Sequence, residues 1–141
     1  MTRIDFYVLT SDQPTEGDIF ACRLAEKAYR AGLRVLVAVD DRARAAQFDE
    51  LLWTFREDSF LPHAPQGADR QAAVEINCGE EPGQHHGLLI NLCASVPGWF
   101  SRFERLAEIV VQQPEALARS RSRFGHFRDR GYPLQSHRIG N

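Results

Sequence analysis

Ile4-Asp5-Phe6-Tyr7-Val8-Leu9 and Val35-Leu36-Val37-Ala38-Val39 decide the fold. Each is a short run of branched and aromatic residues ending at polar ones, the pattern of a buried strand. Between them Phe20, Leu24, Ala28 and Ala31 recur at helical spacing, Thr15 or Asp18 can cap the start, and Gly32 stands where a left-handed C-terminal residue belongs. Asp40 or Asp41 then caps a second helix with Ala45, Phe48 and Leu52 on one face. Strand, helix, strand, helix predicts a parallel sheet with right-handed crossovers.

Outward from this unit the pattern breaks at Trp53 to Asp69, an apolar loop interrupted by Pro62 and Pro65. Ala73-Val74-Glu75-Ile76 and Leu88-Leu89-Ile90-Asn91-Leu92 read as two more strands around a polar turn from Gly79 to Gly87. Pro97 opens a helix with Phe100, Phe103, Ala107 and Val110 at steps of three or four, and a last helix runs from about Pro114 to Arg130, stopped by Gly131. With no repeat, linker or low-complexity tract, residues 1–141 form a single domain. The expected class is α/β, a parallel or mixed sheet flanked by helices.

At 141 residues and 43% hydrophobic, the chain can close a core without disulfides or metals. Cys22, Cys78 and Cys93 are odd in number and far apart, so neither a disulfide framework nor a C-x-x-C site is expected, and a reducing cytoplasm is implied. The N-terminus has no apolar run of signal-peptide length, and no stretch approaches the roughly 18 apolar residues of a membrane span. A net charge of −2 argues against broad wrapping around nucleic acid. That average hides an asymmetry: from Glu115 onward six Arg face Glu115 and Asp129, a local +4, which leaves −6 on the rest.

A strand-helix-strand start invites nucleotide binding, but Thr10-Ser11-Asp12-Gln13-Pro14-Thr15-Glu16-Gly17-Asp18 has one Gly, three acids and no phosphate-binding loop. No G-x-S-x-G elbow occurs. His85-His86 with Glu80 and Glu81 could hold a metal but reads better as a solvent-exposed polar turn. His63 and His137 are lone histidines, and Asp40-Asp41 is explained as a helix cap with a favourable first-turn charge. No catalytic residue, metal or cofactor is expected. A nucleotide-using enzyme is the alternative class.

Two features carry functional weight. In Leu52-Trp53-Thr54-Phe55-Arg56-Glu57-Asp58-Ser59-Phe60-Leu61-Pro62-His63 the large aromatics form either a lid on the core or a patch covered by a partner. In the last helix Leu117, Arg121, Phe124 and Arg128 share one stripe that interleaves apolar and guanidinium groups, while Arg119, Arg123 and Arg130 lie round the other side, solvated. Such a stripe suits a short acidic peptide with an apolar end, since Arg pairs carboxylates in bidentate fashion. Direct binding of single-stranded nucleic acid is the rival functional reading, and a solvated helix face the bland one.

Arg3-Ile4-Asp5-Phe6-Tyr7-Val8-Leu9, Leu24-Ala25-Glu26-Lys27-Ala28-Tyr29-Arg30-Ala31-Gly32, Leu51-Leu52-Trp53 with Ser59-Phe60-Leu61-Pro62-His63, and Arg121-x-Arg123-Phe124-x-x-Phe127-Arg128-x-x-Gly131 together resemble the chi subunit of the bacterial DNA polymerase III clamp loader. The resemblance covers almost the whole chain, and Asp49-Glu50-x-Leu52-Trp53 with Ser59-Phe60-x-Pro62-His63 is its most specific part. It implies a non-catalytic α/β protein of nucleotide-binding-like topology that has lost nucleotide binding. It also implies two partners. The psi subunit would dock at Trp53, Phe60, Leu61 and Pro62, in competition with a helicase-like protein. The acidic C-terminal tail of single-stranded-DNA-binding protein would sit on Leu117, Arg121, Phe124 and Arg128, so that DNA is contacted indirectly. The chain departs from its relatives at Gly125, where glycine costs about 1 kcal/mol of helix stability relative to Ala; the connection from Glu108 to Arg121 varies in length among them, and Gln113, Pro114 or Leu117 would complete the tail pocket.

Overall fold

The computed structural model describes residues 1–58, 60–68, 72–79 and 81–140. The chain runs β1 (Arg3–Leu9), α1 (Pro14–Arg30), β2 (Val35–Ala38), α2 (Arg42–Thr54), β3 (His63–Pro65), β4 (Val74–Asn77), β5 (Leu88–Asn91), a single 3-10 turn (Phe100–Arg102), β6 (Arg105–Val110), α3 (Pro114–Asp129) and β7 (Leu134–Ile139). The strands form one sheet in the order β3-β4-β2-β5-β6-β1-β7, with every neighbouring pair parallel. The fold is thus α/β, as expected.

Alternation along the strands divides the core in two. Val35, Val37, Ile76, Ile90 and Ala107 pack under α1 and α2, where Ala21, Cys22, Ala25, Phe48 and Leu52 meet them. On the opposite face Ile4, Phe6, Leu36, Leu89, Leu106 and Val110 pack under α3 through Phe127. Gly32 adopts φ +85° just past α1, the left-handed end expected of it, and Gly131, expected to stop the last helix, adopts φ +81° just past α3.

Three readings need correction. Helix α1 starts on Gln13 with Pro14 in its first turn, not on Thr15 or Asp18; the proline's fixed φ suits that position, and Asp18 instead accepts two bonds from Arg44 at 3.0 Å each. The helix expected from Pro97 does not form beyond the 3-10 turn. Its second half is β6, between β5 and β1. A central parallel strand is apolar on both faces, so Leu106, Ala107 and Val110 are all buried, and the three-and-four spacing from Phe100 to Val110 is an accident of that double burial. The segment 53–69 also contains more structure than a loop, since α2 runs through Trp53 and β3 adds an edge strand. Ser59 and Asp69 lie outside the described residues.

Candidate functional site

Helix α3 is held on the sheet by its aromatic face. Phe127 is buried, its ring 5.3 Å from Phe100, 5.9 Å from Tyr132 and 6.3 Å from Phe6. Phe124 sits 5.5 Å from Phe6 and, like Leu117, packs half-buried against the same core. The apolar members of the stripe therefore form a floor partly used by the protein's own core. Arg121 and Arg128 rise from it into solvent. Arg128 pairs with its neighbour Asp129 at 3.5 Å, both side chains exposed, an ion pair of little worth.

Arg123 is not solvated, contrary to expectation. Its guanidinium reaches under α3, donates to Glu108 Oε1 at 2.7 Å and to the carbonyls of Cys93 and Ala94, and is mostly buried. Glu108, within β6 and two residues from its end, is 2% exposed and also accepts from Asn91 Nδ2 at 3.0 Å. Burial pushes its pKa up, and Arg123 and the Asn91 hydrogen bond pull against that rise. The pair floors a cleft of about 130 Å³ between the starts of α1 and α3, lined also by Arg44, Cys93 and Arg119. In doubly wound folds ligand phosphates sit at such strand ends. This cleft is smaller than the roughly 300 Å³ at which small-molecule pockets begin, and it carries a carboxylate at its base. Cys93 is held as a thiol, its pKa pushed to about 11 by burial and by Asp40 and Glu108; burial and Asp18 take Cys22 to about 12, so neither supplies a thiolate near neutral pH.

The aromatic segment splits in two. Leu61 is buried in the core beneath α2 and Phe55 packs half-buried against it, whereas Trp53 is 60% exposed, Phe60 88% exposed, and Pro62 exposed. Leu61 thus lies behind the surface that Trp53, Phe60 and Pro62 present. His63 braces this corner: Nδ1 is 2.8 Å from the Leu61 carbonyl, Nε2 approaches Asp49 at 3.4 Å without hydrogen-bond alignment, and the ring meets Trp53 edge-on at 4.6 Å.

His85 is buried, which corrects the exposed-turn reading. Its Nδ1 is 3.3 Å from Glu75 and its Nε2 3.0 Å from the Ala72 carbonyl. Glu81 is drawn to Arg102 at 3.4 Å, and Glu80 lies outside the described residues. Asp41 caps α2 by accepting from the Arg44 amide at 2.8 Å, and Asp40 accepts from the Ala94 amide at 3.2 Å. Sequence reasoning missed the Glu108–Arg123–Asn91 cluster. Its one signal was an acid inside the apolar run Arg105-Leu106-Ala107-Glu108-Ile109-Val110, masked by assigning that run to a helix.

The family model for the DNA polymerase III chi subunit, HolC, matches residues 1–135. The chain is 45% identical over 139 residues to the DNA polymerase III subunit chi of Pseudomonas aeruginosa, covering 99% of this chain and 98% of that one. It is 30% identical to the subunit of the same name from Haemophilus influenzae, with 96% of each covered, and 29% identical to that of Escherichia coli, with 96% and 97% covered.

Proposed function

The chain belongs to the DNA polymerase III chi subunit family, a replication accessory subunit, and from that premise we propose that it is a cytoplasmic, non-catalytic adaptor whose residues 1–141 act as one domain. It bridges the psi subunit of the clamp loader and the acidic C-terminal tail of single-stranded-DNA-binding protein, and reaches coated DNA through the latter. The observation that carries this reading is the exposure of Arg121 and Arg128 beside half-buried Phe124 and Leu117 on α3. Two exposed guanidinium groups can grip carboxylates in bidentate fashion while the apolar floor takes an aromatic or aliphatic end. Trp53, Phe60 and Pro62, backed by buried Leu61, serve psi, and a helicase-like partner competes for them; exposed large aromatics are the usual anchors of such interfaces.

The test is a titration of a fluorescent peptide carrying the acidic tail against wild type and Arg121→Ala/Arg128→Ala. Micromolar, salt-sensitive binding that the double variant loses supports the adaptor. A folded wild type that ignores the peptide returns α3 to a solvated helix face.

A further inference from the structure

We propose that the open sheet face between α1 and β7 is a contact surface for single-stranded nucleic acid, so that the subunit touches the strand itself as well as the protein coating it. Helix α1 packs chiefly over β2, β5 and β6, which leaves the β1 and β7 end of that face uncovered. Tyr7 lies there beside His137, its partner in register. Their rings stack at 4.8 Å and 16°, and Phe20 of α1 sits 5.2 Å from Tyr7 on the other side. All three are half-buried, which leaves part of each ring open to solvent.

Cations border this row of rings. Arg3 and Arg105 approach from the sheet, with side chains 44% and 32% exposed. Arg23 and Lys27 are exposed on α1, three and seven positions after Phe20 and hence on the same flank. Arg23 and Phe20 line a trough of about 370 Å³ with Leu9 and Ile139, at the ends of β1 and β7. Asp5 and Glu16 are the carboxylates among the residues named, so four cations face two acids. Asp5 is buried and already shared between Arg3 at 3.3 Å, Arg105 at 3.6 Å and His137 at 2.9 Å. Arg105 also hydrogen-bonds the Tyr7 side chain, and its Nε is buried without a hydrogen-bond partner among the described residues, so that single carboxylate does not satisfy every donor around it.

Charge complementarity selects an anionic occupant, and the ring row selects one with flat apolar groups at regular intervals. A single strand has both: its bases stack on aromatic side chains, worth about 1–3 kcal/mol each, while cations follow its phosphates. The net charge of −2 is no obstacle to a contact this local. The inference is independent of the tail-binding reading, because the surface shares no residue with the α3 stripe.

The experiment is anisotropy of a labelled oligothymidine titrated with the full chain at about 50 and about 200 mM salt, against wild type, Arg23→Glu/Lys27→Glu and Arg121→Ala/Arg128→Ala. Both α1 positions are exposed, so a thermal melt should find the first variant folded. The expected result is wild-type binding with a slope of log affinity against log salt near −3, the value for about four phosphates neutralised at roughly 0.7 each. Binding should weaken about tenfold in the α1 variant and persist in the α3 variant, and an abasic strand of equal length should bind about tenfold more weakly. The proposal is overturned by a wild type that does not bind at low salt, by equal binding of the abasic strand, or by loss confined to the α3 variant.

Discussion

Arg123 and Glu108 show how one residue pair can govern a surface it does not belong to. Arg123 ties α3 to Glu108 of β6 and to the carbonyls of Cys93 and Ala94, and thereby helps set which face of α3, with Arg121 and Arg128, meets solvent. Removing one partner of a buried ion pair costs about 3–5 kcal/mol because the other charge is stranded, so Arg123→Ala should lose about 3 kcal/mol at neutral pH. Glu108 already has its pKa raised by burial. A carboxyl raised in the folded state binds more protons there than when unfolded, so its contribution to stability is fully present at low pH and is lost as the pH climbs through the folded value. The deficit of Arg123→Ala should therefore shrink between neutral pH and the ordinary glutamate range, as Glu108 takes up its proton. Urea melts of wild type and variant at both ends of that window check this, and an equal loss at both would mean that Glu108 is not the stranded charge. Two glycines give contrasting expectations. A Cβ at Gly125 would meet only Arg128 Nη2, at 3.9 Å, so Gly125→Ala should raise stability by about 1 kcal/mol. At Gly87 it would stand 2.6 Å from the Arg34 backbone carbonyl, a backbone clash that should make Gly87→Ala destabilising in the same melts.

At the scale of elements, legibility followed local signals. Asp41 accepts from the Arg44 amide, as a residue of that type before a helix should; Asp41→Ala should cost about 1 kcal/mol in a thermal melt. Gly32 and Gly131 likewise end their helices where the sequence places a stop, each at a positive φ. The signals failed where neighbours in space, not in sequence, decide the conformation. The run from Arg105 to Val110 is a strand because β5 and β1 flank it, and nothing within the run reports that. His63–Pro65 pairs only with β4, too short a run to show a period of its own. Strand β7, Leu134–Ile139, was not read at all: half-exposed at the sheet edge, it lacks the continuous apolar run that marked β1 and β2. For the candidate surfaces, composition pointed to α3 and to the aromatic segment. It could not say that Arg123 turns inward or that Leu61 is core, because a helical wheel gives angles round an axis and not the position of the sheet.

At the scale of the molecule, the two candidate surfaces lie toward opposite edges of the sheet. Trp53 and Phe60 belong to the α2 and β3 corner, whereas α3 packs over β6 and β7; β3 and β7 are opposite edges of the sheet, six strand spacings apart, or about 29 Å at about 4.8 Å each. They also rest on opposite faces, since Leu61 and Phe55 pack in the core under α1 and α2 and Phe124 and Leu117 in the core under α3. Coupling between sites requires an element with two arrangements that both ligands bias, and the body between these two is a fully parallel sheet with a hydrophobic core on each face. The expectation is independence: Trp53→Ala/Phe60→Ala should abolish psi binding and leave tail-peptide affinity within about twofold, and Arg121→Ala/Arg128→Ala should do the reverse. Titrating the tail peptide into the subunit with and without saturating psi measures the coupling free energy directly. Allosteric coupling typically changes affinity about fivefold or more, so a shift of that size would mean that the sheet transmits strain between its edges. No shift would mean that the subunit acts as a rigid spacer, holding two partners at a fixed separation while each binds as though the other were absent.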